Sequence, residues 1–277
     1  MPRSVREILS MKGSKKISVI TAYDFTMGQL CDRAGIDMIL VGDSGGMVML
    51  GYENTIPVTM EQMCFFTEAV SRGRQNAMVV ADMPFMSYQA SKSQAIENAG
   101  MLIKAGADAV KLEGGIEMRE TVRSIVEVGI PVMGHIGFQP QTTTLQEGYK
   151  VQAKTRDAAL NLIESARSLE EAGAFSIALE MVTREVSKII TESLKIPTIG
   201  IGSGPDCDGQ VLVLHDVLGL YEKIKPKFAK RYLELASDVV KAVTAYRNDV
   251  TSGKFPSQEH SFSMEKSELE RLKKEIA

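Results

Sequence analysis

The stretch DMILVGDSGG at residues 37–46 decides the fold that we predict for this chain. Its first half is a continuous apolar run, which is typical of a strand buried on both faces of a parallel sheet. Its second half, Gly-Asp-Ser-Gly-Gly, places a carboxylate where that strand ends. Because an aspartate is rarely fully buried without a partner, Asp43 requires either water or a partner from elsewhere in the chain.

Seven further apolar runs recur along the chain, and helix-like stretches follow them. The predicted strands cover 16–24, 37–44, 77–84, 107–114, 130–137, 175–182, 196–204 and 209–219. The clearest amphipathic helices are QAIENAGMLIKAG (94–106) and RDAALNLIESARSLEEAG (156–173). Alternation of strands and helices indicates right-handed βαβ units.

The number of predicted strands favours one kind of α/β fold. Eight strands in 277 residues favour a (β/α)8 TIM barrel over an open doubly wound sheet. No GxGxxG motif follows the first strand, which disfavours a dinucleotide-binding fold. We therefore predict a single-domain barrel over residues 1–262, followed by a charged helical tail, SMEKSELERLKKEIA, at 263–277.

The composition of the chain limits the classes of binding partner and the cellular compartment that we expect. The chain is 44% hydrophobic, carries a net charge of −3 and has no block of basic residues, so we expect neither nucleic acid nor a membrane as a partner. No apolar run approaches the ~18 residues of a membrane span. The first residues contain no apolar core of a secretory signal.

Three widely spaced cysteines, Cys31, Cys64 and Cys207, form no CxxC pair, which is typical of a reducing cytosol. We therefore expect a cytoplasmic protein.

Polar residues follow the predicted strands, where the active sites of such barrels lie. They are Asp24, Asp43, Ser44, Asp82, Lys111, Glu113, His135, Glu180 and Ser203. Side chains alternate along a strand, so Lys111 and Glu113 point to the same face while Val110 and Leu112 face the helices. The barrel would therefore gather carboxylates from three separate βα units at one rim.

Three converging carboxylates raise one another's pKa unless a cation neutralises them. Oxygen ligands without cysteine or paired histidines favour Mg²⁺ over Zn²⁺. Asp43 and Asp82 are the candidate direct ligands, and Glu113 is either a third ligand or holds a bound water. Lys111 adds a positive charge suited to a substrate carboxylate.

Other interpretations stay open for several of these residues. Any one strand-end carboxylate can simply cap the next helix or meet solvent, and Asp24 fits a helix N-cap best. His135 is either a core histidine or a pocket residue. The glycine-rich segment at 200–209 resembles a phosphate-binding loop, but this signal alone is weak.

A set of motifs gives a specific resemblance. These motifs are TAYD, LVGDS, IPVTMEQM, ADMPFMSY, VKLEGG, GHIGFQPQ, GYKVQ, IGIGSGPDCDGQVLVLHD, KPKFAKRY and EHSF, spread over residues 21–262. In this order they closely resemble the ketopantoate hydroxymethyltransferase family. The resemblance implies a (β/α)8 barrel like those of isocitrate lyase and phosphoenolpyruvate mutase.

The resemblance also implies a reaction and roles for residues. The family transfers a hydroxymethyl group from 5,10-methylenetetrahydrofolate to 3-methyl-2-oxobutanoate, through a Mg²⁺-stabilised enolate, and gives ketopantoate for pantothenate biosynthesis. Its metal ligands fall on Asp43, Asp82 and Glu113, and its oxoacid-binding positions fall on Asp43, Ser44, Asp82 and Lys111. Its proton acceptor falls on Glu180. Relatives form large homo-oligomers, commonly decamers, so an assembly is expected here.

Departures from the family pattern are few. Gly45 stands where many relatives have a bulkier apolar residue, and Glu147 and Ala153 replace expected glycines.

Two alternative functions remain. One is another Mg²⁺-dependent, enolate-forming lyase or mutase that acts on a small oxyacid. Such lyases typically carry a catalytic cysteine in a strand-end loop, and none of the three cysteines has that setting. The other rival is a barrel that has lost its chemistry.

Overall fold

A closed barrel of eight parallel strands forms the centre of the protein. We describe it from a computed structural model, which covers residues 2–142, 150–223 and 225–277. Each strand pairs with its neighbours in sequence, and β8 closes the ring against β1. The strands are β1 Ile17–Thr21, β2 Met38–Val41, β3 Met78–Asp82, β4 Ala109–Glu113, β5 Val132–Gly137, β6 Ser176–Glu180, β7 Thr198–Ile201 and β8 Gly209–Leu212. All eight predicted strands are confirmed with shorter bounds, but residues 214–218 of the predicted eighth strand form a helix instead.

Helices surround the barrel and follow most of the strands. Those of the described residues are α1 Val5–Ser10, α2 Phe25–Arg33, α3 Gly45–Val48, α4 Met60–Gly73, α5 Lys92–Lys104, α6 Arg119–Glu127, α7 Arg156–Glu171, α8 Arg184–Ser193, α9 Leu214–Leu218, α10 Leu235–Thr251 and α11 Lys266–Ile276. The two clearest predicted helices correspond to α5 and α7. Local capping explains where several begin. Asp24, for example, accepts a hydrogen bond from the Met27 amide at 2.9 Å, as predicted for an N-cap.

Alternation along the strands produces two apolar layers. Inward-facing side chains such as Leu40, Val80 and Met133 fill the barrel, and Ile8 of α1 packs against this inner cluster. Outward-facing side chains such as Val110 and Leu112 pack against the helices in a larger cluster. The parity predicted for β4 is therefore confirmed. It directs Lys111 and Glu113 into the barrel, near the carboxyl ends of the strands.

The C-terminal part of the chain differs from the barrel. Helices α10 and α11 contain no buried residue. Helix α10 nevertheless exposes apolar side chains, with Val240 65% and Val243 60% accessible. The predicted helical tail corresponds to α11, while the domain boundary at residue 262 stays a prediction.

Candidate active site

A cavity of about 980 Å³ opens at the carboxyl ends of the strands. Its polar lining includes most of the strand-end residues identified in the sequence: Asp43, Ser44, Asp82, Lys111, Glu113, His135 and Glu180. Barrel closure therefore brings these side chains to one rim. Apart from Ser44 and Glu180, which are half-buried, each of them is more than nine-tenths buried.

Lys111 and Asp82 form a buried ion pair on neighbouring strands. Lys111 Nζ lies 2.5 Å from Asp82 Oδ1, and the two residues are aligned in the register of β3 and β4. Burial favours the neutral amine, but the charges of Asp82 and then of Asp43 and Glu113 outweigh it and raise the pKa of Lys111. The ammonium therefore remains charged beside the carboxylates.

The buried Asp43 carboxylate is influenced by the charges of two further carboxylates. Its backbone amide donates to Asp82 Oδ2 at 3.1 Å, and its own Oδ2 accepts from Gln141 Nε2 at 2.9 Å. Burial, followed by the charges of Asp82 and Glu113, raises the pKa of Asp43 to about 8. The surrounding protein groups thus compensate the charge of the Asp43 carboxylate only in part.

His135 lies between two carboxylates. Its Nδ1 is 3.4 Å from Glu113 Oε1, and its Nε2 is 3.3 Å from Glu180 Oε2. Burial and the Lys111 charge favour the neutral ring, but Glu113 and Glu180 prevail and raise the pKa of His135 to about 9. His135 is buried and also lines the cavity.

Glu180 ends β6, and its backbone is bonded to the chain that follows β5. Its carbonyl accepts a hydrogen bond of 2.8 Å from the Phe138 amide. The next residue, Met181, has a φ of 50°, a left-handed conformation that is uncommon for non-glycine residues. Backbone strain of this kind concentrates at functional sites. The Glu180 side chain is 15% exposed, which leaves it accessible from the cavity.

Ser44 is oriented by an aromatic residue from the preceding strand end. Its Oγ lies 2.9 Å from the Tyr23 hydroxyl. The Tyr23 ring also explains Gly45, because a Cβ at that glycine would lie 2.8 Å from Tyr23 Cδ1 and 3.0 Å from Phe66 Cε2. These rings fill the space of the bulkier residue expected at position 45.

Gln141 and Tyr88 belong to the site, and the sequence analysis missed both. Besides Asp43, Gln141 contacts Glu113, whose Oε2 accepts from the Gln141 backbone amide at 3.1 Å. The Tyr88 hydroxyl donates to Gln141 Oε1 at 2.7 Å and accepts from the Glu113 amide at 3.2 Å. Both residues lie in quoted motifs, GHIGFQPQ and ADMPFMSY, but neither follows a strand directly.

The acidic groups of the site provide oxygen donors for a divalent cation. Among the described residues, no three His, Cys, Asp or Glu side chains lie close enough to share one metal ion. The Glu113 carboxylate is directed toward His135 and the Gln141 amide. Mg²⁺ usually takes one or two carboxylates and keeps several waters. Asp43 and Asp82 supply two such carboxylates at adjacent strand ends, so the donor set fits Mg²⁺.

Other candidate residues have structural roles or remain apart from the site. Ser203 Oγ donates to the Leu179 carbonyl at 2.7 Å and accepts from the Val182 amide at 3.1 Å, which ties β6 to the loop after β7. Ala153 has a φ of 58°, the left-handed conformation that a glycine adopts freely. Glu147, the remaining departure, lies outside the described residues.

Comparison with solved structures places the fold in a known class. A phosphonopyruvate hydrolase solved in complex with oxalate and Mg²⁺ superposes with a TM-score of 0.61 at 12% identity, covering 99% of this chain and 96% of that one. A 2,3-dimethylmalate lyase, described as a phosphoenolpyruvate mutase/isocitrate lyase superfamily member, gives 0.56 at 15% identity, with 98% and 95% covered. The protein therefore shares the barrel fold of these structures, as predicted.

Sequence comparison identifies the family. The ketopantoate hydroxymethyltransferase profile matches residues 3–258. A 3-methyl-2-oxobutanoate hydroxymethyltransferase of Nitrosopumilus maritimus is 66% identical over 277 residues, covering 100% of this chain and 99% of the relative. One of Thermotoga maritima is 55% identical over 260 residues, covering 94% and 96%. The chain belongs to the ketopantoate hydroxymethyltransferase family. Across its described ranges, no helix is both long and apolar enough to cross a membrane.

Proposed function

We propose that this protein transfers a hydroxymethyl group from 5,10-methylenetetrahydrofolate to 3-methyl-2-oxobutanoate and yields 2-dehydropantoate (ketopantoate), a step toward pantothenate. Family membership and relatives of this name support the reaction. The observation that carries the site assignment is the cluster of Asp43, Asp82 and Lys111, where two carboxylates and a buried ammonium line the cavity.

Asp43 and Asp82 would hold Mg²⁺, with Glu113 orienting a water beside it. When bound, Mg²⁺ supplies a Lewis acid that withdraws electron density from the keto group of the substrate. Lys111 binds the substrate carboxylate and offsets the negative charge of the cluster. Ser44, fixed by Tyr23, donates a hydrogen bond to the same oxoacid. These contacts orient C3 of the substrate toward Glu180.

Glu180 accepts the C3 proton in this proposal. His135, bridging Glu113 and Glu180, holds the Glu180 carboxylate and keeps its charge partly balanced. The deprotonated C3 then forms a bond to the one-carbon unit of the folate. Both bonds from that carbon to the folate nitrogens N5 and N10 break, water supplies the hydroxyl oxygen, and the two nitrogens take up protons from solvent as tetrahydrofolate leaves. The proton on Glu180 returns to solvent before the next turnover.

The cysteines offer no support for the lyase alternative. Cys31 and Cys207 are buried, and Cys64 lies within α4. None of the three belongs to the lining of the cavity. The likeness to lyase and hydrolase structures, at 12–15% identity, concerns the fold alone.

A direct assay tests the proposed function. The purified protein is incubated with 3-methyl-2-oxobutanoate and 5,10-methylenetetrahydrofolate, with Mg²⁺ or with a chelator, and ketopantoate is quantified. We expect Mg²⁺-dependent product at a rate that scales with enzyme concentration. Oxyacid cleavage without consumption of the folate would instead support the lyase alternative.

We also propose that the chain assembles into a homo-oligomer, a decamer by the family resemblance, and that it acts in the cytoplasm. The exposed apolar side chains of α10 support an assembly, because a contiguous apolar face is rarely left to water. The absence of any basic block in the composition supports small-molecule substrates rather than nucleic acid as partners.

A further inference from the structure

Asp216 is a buried carboxylate that the steps described above do not use. It lies on the short helix α9 and is 8% exposed. The residue also lines the cavity that holds the candidate metal site. A buried carboxylate usually has a hydrogen-bond or ion-pair partner.

The described part of the chain provides no such partner for the Asp216 side chain. Its backbone is satisfied, since its amide donates to the Val213 carbonyl and its carbonyl accepts from Gly219. The cation that acts on it electrostatically, Arg231, is directed elsewhere, to the Tyr221 carbonyl at 3.2 Å and to Glu234 at 3.1 Å. Burial raises the pKa of Asp216, as expected for a carboxylate without a close donor.

The cavity around Asp216 is larger than an oxoacid needs. Its volume of about 980 Å³ lies at the upper end of ligand pockets, which hold molecules of drug size. Tyr221, Lys227 and Phe228 line it as well. The Phe228 ring packs on Gly202, where a Cβ would lie only 2.8 Å from Phe228 Cδ1. The cavity lining therefore includes an aromatic ring, a cation and an unpaired carboxylate.

We propose that Asp216 binds the 2-amino-4-oxopyrimidine edge of the reduced pterin, the ring end of the folate cosubstrate. This edge presents two parallel N–H donors, from N3 and from the 2-amino group, which match the two oxygens of a carboxylate. The fused ring is flat and suits an aromatic wall, and the carboxylates of the folate tail suit Lys227. The inference rests on the proposed function, because it presumes a folate cosubstrate.

The Asp216→Asn variant of the full chain tests the proposal, with Mg²⁺ present throughout. An amide keeps the shape but presents an N–H where the pterin also presents one. We expect the dissociation constant of tetrahydrofolate, measured by calorimetry, and the KM for 5,10-methylenetetrahydrofolate to rise about 10- to 100-fold. The folate-independent exchange of the substrate C3 proton in D₂O should persist. Thermal stability should not fall, since no protein group loses a partner.

Asp206→Asn is the matched control. Asp206 follows Pro205 of the cavity lining in sequence but is already paired with Arg184 Nε at 2.8 Å, so its replacement should leave tetrahydrofolate affinity unchanged. An Asp216→Asn variant with wild-type folate affinity would overturn the inference. The same result together with a change in assembly mass would mean that Asp216 pairs with a neighbouring subunit instead.

A change in the ligand tests the same contact without altering the protein. A tetrahydrofolate analogue with a methyl group in place of the 2-amino group should bind the wild-type chain about tenfold or more weakly. In Asp216→Asn the two ligands should differ much less, because the lost contact is then already absent. Equal affinity of the wild-type chain for both ligands would reject the inference. A wild-type chain that neither exchanges the C3 proton nor binds tetrahydrofolate would instead reject the proposed function, and this inference with it.

Discussion

Gln141 donates a hydrogen bond of 2.9 Å from its side-chain Nε2 to Oδ2 of Asp43. The same nitrogen donates to the Met83 carbonyl at 2.9 Å, and the side chain is 1% exposed. Gln141 thus fixes the orientation of a carboxylate that we propose as a metal ligand. Residues that orient a ligand in this way commonly contribute 10- to 100-fold to metal affinity, by order of magnitude.

We expect Gln141→Leu to weaken Mg²⁺ binding about tenfold or more while the barrel remains folded. Leucine retains much of the volume but leaves Asp43 Oδ2 without its donor. Isothermal titration of the apo protein with Mg²⁺ measures the effect independently of turnover. Gln139→Leu is the matched control, since Gln139 contacts only the nearby Thr142 through its side chain among the described contacts. Equal losses in the two variants would contradict a specific role for Gln141.

Asp82→Asn should remove a direct metal ligand and the partner of Lys111. We expect Mg²⁺ affinity to fall by more than about tenfold and most hydroxymethyl transfer to disappear, with circular dichroism unchanged. Asp157→Asn, on the exposed first turn of α7, provides the same chemical change away from the site. Wild-type turnover and an unchanged metal titration in Asp82→Asn would refute the metal assignment.

Glu180→Gln should abolish the basicity of the proposed proton acceptor while keeping its shape. The half-reaction to follow is exchange of the C3 proton of 3-methyl-2-oxobutanoate in D₂O with Mg²⁺, monitored by NMR. We expect exchange to fall by about 10²–10⁴-fold, the range typical of a general base. Calorimetric binding of Mg²⁺ and of the oxoacid should persist, because Asp43, Asp82 and Lys111 are intact. Exchange at the wild-type rate would move the base elsewhere, with His135 as the next candidate.

Asp37 should make the stability of the protein pH-dependent. Burial alone disfavours its charge, but hydrogen bonds from the Ser18 amide and hydroxyl, at 2.9 and 2.7 Å, and the nearby Lys15 hold its pKa below the usual value. Because the pKa of Asp37 is lower in the folded than in the unfolded state, the charged carboxylate stabilises the fold above the unfolded-state pKa of ~3.9. This stabilisation is lost as the pH falls through the folded-state pKa.

We therefore expect Asp37→Asn to destabilise the protein by about 1–3 kcal/mol at pH 7 and progressively less below about pH 4. Urea denaturation at several pH values measures both curves. Asp238→Asn, on the exposed side of α10, should follow the wild-type curve throughout. Parallel curves for wild type and Asp37→Asn would show that this carboxylate does not account for the pH dependence.

The exposed apolar side chains of α10 predict that the chain forms a homo-oligomer with α10 in the contact surface. Light scattering after size exclusion should give a mass well above the 30.3 kDa of one chain. Combined Val240→Asp and Val243→Asp substitutions should lower that mass, since they place charges on the proposed contact surface. Lys241→Ala, between them in sequence, is the control for changing the same helix. A 30.3 kDa species for the wild type at micromolar concentration would contradict the assembly.

The sequence by itself determined the barrel and the residues at its rim. Apolar runs mark buried parallel strands, and the two-residue period of a strand fixes which side chains share a face. The sequence alone therefore assigns Lys111 and Glu113 to the interior, and Asp43 and Asp82 to neighbouring strand ends. Their proposed ligand and binding roles came from the chemistry of carboxylates and from the family resemblance.

Only the tertiary structure decided which distant groups meet. Gln141 and Asp43 lie 98 positions apart, and Tyr88 and Gln141 lie 53 apart, so no local pattern links them. The position of His135 between Glu113 and Glu180 depends on the alignment of β4, β5 and β6. Whether Asp216 has a partner depends on which donor groups the surrounding elements bring within hydrogen-bond distance. Periodicity fixes the direction of a side chain from its own strand, whereas a contact depends on how the closed barrel places two segments together.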